Sequence, residues 1–248
     1  MKPKRAISNI TSPIVSSDLV FQGGATSAAL QLTVSPRARV LRLKVDPRTG
    51  TVSLTVPRRV SQRKALEWAA QHRAWIEAQL AKIAPPERIG AGSVIPLYDR
   101  PHVVDWSADR SRIVRLEEGR ILAGGPAEGL EGRILRWLKR HALDLLARET
   151  AEYAAKAKVT VAKVAVGDPL SRWGSCSSTG GIRYSWRLIL APPHVRRATV
   201  AHEVAHRVHM HHGPEFHALV AELFEGDPAT AHAWLRRHGA ALHRIARA

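Results

Sequence analysis

Six of the 13 histidines in this 248-residue chain fall between positions 202 and 217. Clustered imidazoles make poor core material and good metal ligands. Within the cluster, His202-Glu203-Val204-Ala205-His206 sets two imidazoles at i and i+4 with a glutamate directly after the first. On a helix those rings stand on one face, about 6 Å apart along the axis, and can converge on one tetrahedral cation. Imidazole ligands favour zinc over calcium or magnesium. Glu203 is badly placed to join them as a ligand and well placed beside a water that the metal acidifies. There its carboxylate can take the proton as general base.

Two rings leave such a site one protein ligand short. His209 would lie another turn along the same face, about 10 Å of rise from His202, which is too far for one ion without distortion. His211 and His212 come where Gly213-Pro214 forces the chain off the helix, so either can fold back, and spacing does not choose between them. Glu222 or Glu225 would give a His-His-Glu set instead.

The elements that position these groups follow from periodicity. Val195, Ala198, Ala201, Ala205 and Val208 mark a buried helical stripe through 194–210 after Pro192-Pro193. Two helices follow, one from Pro214 to about Phe224 and one capped by Asp227. Upstream, 159–166 reads as a strand. In 182–190, Ile182, Tyr184, Trp186, Leu188 and Leu190 share one face while Arg183, Ser185 and Arg187 share a wet one. That strand could be a sheet edge offering its backbone to an extended peptide. A long helix at 127–157 carries a wide apolar face. Before it, strand-like pieces at 94–98, 102–106, 112–117 and 120–123 follow a helical run capped by Ser61 and ended by Pro85-Pro86. Segments 38–46 and 51–56 form a hairpin around Pro47–Gly50, and residues 1–28 read as a flexible tail.

Composition narrows the class. Hydrophobic residues make up 45% and charged residues 24%, the profile of a globular chain. One cysteine, Cys176, excludes a disulfide framework and a cysteine-built zinc knuckle, and it suits a reducing, cytoplasmic compartment. No apolar stretch reaches the ~18 residues of a membrane span, so no membrane partner is expected. The net charge of +17 is shared by both halves with no localised basic block, so nucleic acid is a compatible partner that no patch in the sequence indicates.

A resemblance appears once these segments are set in order. Arg172-Trp173-Gly174-Ser175-Cys176-Ser177-Ser178, Trp186 through Pro193, Ala201-His202-Glu203-Val204-Ala205-His206 and Met210-His211-His212-Gly213-Pro214-Glu215-Phe216 together resemble the YgjP-like (WLM/SprT-related) metallopeptidase family. Similarity runs from about residue 36, with Val45–Gly50 and Val56-Pro57 also matching, to about 225. The resemblance implies zinc bound by His202, His206 and His212, with Glu203 as general base. His211 stands where the family commonly has Asn, and His217 where it has an aromatic. His-Gly-Pro-Glu-Phe is also similar to the SprT and Spartan branch, which includes DNA-associated proteases.

The expected fold is therefore α+β. A zincin-like metallopeptidase domain at 126–248, with a small antiparallel or mixed sheet packed on helices, follows a β-rich portion with one helix at 29–125. The expected activity is zinc-dependent hydrolysis of a peptide or protein substrate. The alternative is a zinc-stabilised nucleic-acid-associated or adaptor protein without hydrolytic activity, in which His209 or His211 completes a four-ligand structural site. Tyr184, Arg172 and His217 are candidate donors to the oxyanion of a tetrahedral intermediate. Cys176 reads as a small packed side chain, and Trp173 and Trp186 as hydrophobic anchors.

Overall fold

A computed structural model describes residues 20–246, apart from 24, 25, 48 and 84. The chain divides into two compact units, one through Ala84 and one from Pro85. Most of the expected tail, up to residue 19, lies outside the described residues. Its last part does not: β1 (Val20–Gly23) pairs antiparallel with β2 (Thr26–Ser35). The composition of this stretch hides the strands because the buried core residues it contributes, Phe21, Leu30 and Leu32 among the described side chains, are few, and β2 takes its other neighbour from distant sequence, running parallel to β4 (Val52–Pro57).

The expected hairpin is present. β3 (Arg42–Val45) pairs antiparallel with β4 around a turn in which Gly50 takes a φ of 69° and its N–H donates to Asp46 O at 2.8 Å. The sheet order is β1-β2-β4-β3. Val52, Leu54 and Val56 are fully buried beneath Ala65 and Ala69 of α1 (Gln62–Gln71) and Ile76 and Leu80 of α2 (Arg73–Leu80). Ser61 caps α1 by accepting from Lys64 N. The single helix expected here is interrupted at His72, whose ring N–H donates to Trp68 O at 2.8 Å.

In the second unit, β5 (Val94–Leu97), β6 (Arg100–Ser107), β7 (Arg115–Glu117) and β8 (Arg120–Gly124) form a sheet of order β5-β6-β8-β7. Its Ile95, Leu97, Val104 and Ile121 share one core with Ile134, Leu138 and Leu146 of α3 (Leu130–Lys156) and with the C-terminal elements. This shared core moves the boundary to Ala84/Pro85 from the expected position near 125, since strands that bury their apolar face on α3 belong with it.

A third sheet, of order β10-β11-β9, joins β9 (Lys163–Gly167), β10 (Gly174–Cys176) and β11 (Gly181–Ser185). The strand expected over 182–190 stops at Ser185, and Trp186–Leu190 wind into a 3-10 turn. The alternation was misleading because Arg187, read as solvent-facing, is 2% exposed. Its guanidinium binds both Asp168 oxygens at 2.7 and 2.9 Å and the carbonyls of Leu242 and Ile245 at 2.7 and 2.6 Å. A buried charge so completely satisfied is compatible with an all-buried turn.

Three helices complete the unit: α4 (Pro193–Ala205), α5 (Pro214–Leu223) and α6 (Pro228–Leu242). α4 ends at Ala205, short of the expected 210, because Arg207 and Val208 close tight turns onto Val204 O and Ala205 O. The molecule is thus mixed α+β with small sheets and six α-helices among the described residues. None of those helices is long and apolar enough to cross a membrane.

Candidate metal centre

Val195, Ala198, Ala201, Val204 and Ala205 bury one side of α4 in the core. That anchoring brings His202 and Glu203 to the last turn of the helix and His206 to its C-cap. The turn after Ala205 and the Gly213 N-cap of α5 then carry His212 back over the same face. One nitrogen from each of His202, His206 and His212 lies within 4.8 Å of the others, and His202 Nε2 and His212 Nε2 are 3.2 Å apart. Three nitrogens at ~2.1 Å from one tetrahedral zinc are roughly 3.4 Å apart, so this donor set fits a single divalent ion.

Neighbouring groups fix the rings. His206 Nδ1 donates to His209 O at 3.0 Å, which leaves Nε2 as the nitrogen with a free lone pair. Phe216, 1% exposed on α5, backs the rings of His202, His206 and His212 at centroid distances of 4.9, 4.5 and 4.7 Å. Burial, reinforced by the adjacent His206 and His212, lowers the pKa of His202 to about 4, so its ring is neutral at physiological pH. Burial also lowers that of His206, against the raising effect of its hydrogen bond to His209.

Glu203 reaches the same cleft, a space of about 480 Å³ that it shares with Arg172, Cys176, Met210 and the three histidines. Burial pushes its carboxyl up to about 7, while the charge of Arg172 acts in the opposite direction. The room for this side chain comes from Gly174 on β10. A Cβ there would stand 2.5 Å from Glu203 Oε1 and 2.7 Å from its Cδ. Gly174→Ala should therefore leave metal content unchanged while displacing the carboxylate, and a displacement near 1 Å costs about 100-fold in turnover. Parallel metal analysis and peptidase assay check this, and an unchanged rate would show that the carboxylate position is immaterial.

The other sequence candidates separate cleanly. Among the described residues, no other group of histidine, cysteine and acidic side chains has metal-ligand spacing. His209 contributes its carbonyl and not its ring, His211 is exposed outside the cluster, and Glu225 pairs with Lys156 at 3.0 Å. Glu222 is exposed on α5. Tyr184 is fully buried, its hydroxyl within hydrogen-bond distance of Thr150 Oγ1 at 3.0 Å, which removes it as an oxyanion donor. Arg172 borders the cleft beside Glu203, and His217 borders a larger cavity of about 690 Å³ that shares Gly174, His202, Glu203 and His212 with the cleft. Cys176 lies in the smaller cleft with its thiol pKa raised by burial, the reverse of an activated nucleophile. Trp173 and Trp186 are apolar anchors. Trp173 packs against Gly239, and Trp186 is completely buried.

Sequence reasoning missed two contributors, Gly174 and the ring-backing role of Phe216. Their signals were a glycine in the Trp173-Gly174-Ser175 run and an aromatic four residues after His212, neither of which declares these roles without the fold.

A comparison with curated proteins and with solved structures returned no match. The YgjP-like metallopeptidase domain model matches residues 39–238, a span that includes all three clustered histidines and Glu203. With most of its length matched and the metal-binding geometry inside that span, the chain belongs to the YgjP-like metallopeptidase domain family.

Proposed function

We propose that this protein is a zinc-dependent peptidase with a zincin-like catalytic domain, in which His202, His206 and His212 hold the metal and Glu203 is the general base. The observation that carries the reading is the convergence of three imidazole nitrogens beside one buried carboxylate in an open cleft. Zinc held by those rings would act as a Lewis acid on the scissile carbonyl and acidify a water beside it. Glu203 takes the proton of that water as its oxygen attacks the carbonyl carbon. The carboxyl then passes the proton to the amide nitrogen as the C–N bond breaks. Arg172 lines the cleft and His217 the adjoining cavity, and both remain the candidate donors to the developing oxyanion.

Substrate placement follows from the edge of the sheet. β11, which the sequence left as either an edge or a core strand, is central, and among the described residues β10 leaves one side unpaired next to the cleft. An extended peptide pairs there with the backbone of Gly174–Cys176. The larger cavity, lined by Ala198, Val220, Ala231 and Leu235, takes an apolar side chain next to the scissile bond.

The test is metal stoichiometry after reconstitution with zinc, read beside hydrolysis of a mixed peptide library. Wild type and His211→Ala should bind one zinc per chain and cleave. His212→Ala should lose metal at least 100-fold more readily to a chelator and lose cleavage with it. Retention of zinc by His212→Ala, or loss by His211→Ala, would reassign the third ligand. A zinc-loaded wild type that cleaves nothing would sink the peptidase reading.

A further inference from the structure

We infer that the first unit carries a binding surface for the phosphodiester backbone of nucleic acid, formed by Arg37, Arg39, Arg42, Arg58 and Arg59 at one end of its sheet. The topology gathers these residues. β2 and β4 run parallel and end opposite each other at Ser35 and Pro57, while β3 runs antiparallel and begins at Arg42, opposite Thr55. The turn after β2 holds Arg37 and Arg39, and the turn after β4 holds Arg58 and Arg59. All five side chains are exposed. Among the described residues, the ion pairs of this unit are Arg63–Glu67 and Arg73–Glu77, and neither involves the five. The single acid between residues 35 and 60, Asp46, sits in the turn at the opposite end of the β3–β4 hairpin.

The adjoining sheet face extends the same chemistry. The register sets Arg42, Thr55 and Thr33 in one row and Lys44, Ser53 and Gln31 in the next. These rows point away from the core, because the alternate residues Leu30, Leu32, Val52, Leu54 and Val56 fill it. Guanidinium groups grip phosphate oxygens in pairs, and neighbouring hydroxyl and amide groups supply neutral hydrogen bonds to phosphate and sugar. A bilayer-binding face needs large apolar or aromatic side chains to insert, and here Val40 is the exposed aliphatic residue. The polar rows and the paired turns therefore favour a nucleic-acid strand over a lipid surface. This surface lies in a different unit from the metal centre and stands independently of the catalytic reading.

The experiment is fluorescence anisotropy of the full-length, zinc-loaded protein with labelled 20-nucleotide single-stranded DNA, single-stranded RNA and duplex DNA across a KCl series. One variant carries R37Q, R39Q, R42Q, R58Q and R59Q. A control carries R100Q, R115Q, R136Q, R140Q and R237Q, five exposed arginines of the second unit. Both lose the same charge. The first should lose at least 100-fold in affinity at low salt and most of its salt dependence, which runs near 0.7–0.9 log units per neutralised phosphate. The control should lose less than about 5-fold. Equal losses would mean diffuse charge and overturn the surface, as would undetectable wild-type binding. Tighter patch-dependent binding to phosphatidylserine vesicles than to any nucleic acid would overturn the choice of partner. The five single Arg→Gln variants, each expected to lose about 2–5-fold, replace the combined variant if circular dichroism finds it unfolded.

Discussion

Glu203→Gln should lower peptide hydrolysis by about 10²–10⁴-fold with zinc content unchanged, since a positioned general base contributes on that scale and the ligating rings are untouched. The same substitution makes a second, independent reading of the site in metal-free protein. Burial raises the Glu203 carboxyl from 4.5 to about 7. Between those values the folded protein keeps a proton that the unfolded chain has released, so the folded state loses stability as pH rises through the window and the whole loss is present above 7. Gln cannot ionise and escapes this loss. Its stability relative to wild type, measured by denaturant unfolding with chelator present, should therefore improve by about 3 kcal/mol between pH 4 and pH 8. Comparing two pH values cancels the cost of burying the amide itself. A difference independent of pH would mean that the carboxylate is not desolvated, and full activity in the Gln variant would remove it from the mechanism.

How far the sequence carried the site depends on which interactions were local. His202 and His206 were legible because i and i+4 on a helix is a local geometry, and the buried stripe of α4 declared that helix. For the third ligand, spacing left His211 and His212 open, with Glu222 or Glu225 as the other option, because the path from Ala205 to Gly213 is not a regular local geometry and the His212 ring meets its neighbour Phe216 only in the fold. The β3–β4 hairpin and the helices α3 to α6 were readable from periodicity and caps. Trp186–Leu190 was not, because its alternation matched a strand while the burial of Arg187 depends on Asp168 and on the carbonyls of Leu242 and Ile245, the latter 55 and 58 residues away. The arginine end of the first sheet was invisible for the same reason. Arg39 and Arg58 are brought together by a parallel strand pairing that no local pattern announces.

Glu149→Gln should destabilise the second unit by about 3–5 kcal/mol, the cost of leaving a buried charge without its partner. Glu149 on α3 and Arg196 on α4 are 3% and 5% exposed and joined by contacts of 2.9–3.1 Å. In the variant the Arg196 guanidinium loses its counter-charge and one of the two acceptor oxygens, and the amide oxygen that remains and the Tyr98 ring, 5.5 Å from its centre, compensate only in part. The reverse change, Arg196→Met, should cost less. Arg197 already stands 3.8 Å from Glu149 and is one-third exposed, so it can turn toward the abandoned carboxylate. Replacing both members with Met and Leu should be close to neutral, because the wild-type pair is itself imperfect: Arg196 Nη1 is buried without a hydrogen-bond partner. The order Glu149→Gln worst, Arg196→Met intermediate, double variant mildest is read by urea unfolding of each protein. A double variant that loses as much stability as Glu149→Gln would show that the two residues are not coupled. The consequence reaches the metal centre, since α4 carries His202 and Glu203 and is held to α3 by this pair. Glu149→Gln should therefore also weaken zinc retention at temperatures where the double variant still holds the ion.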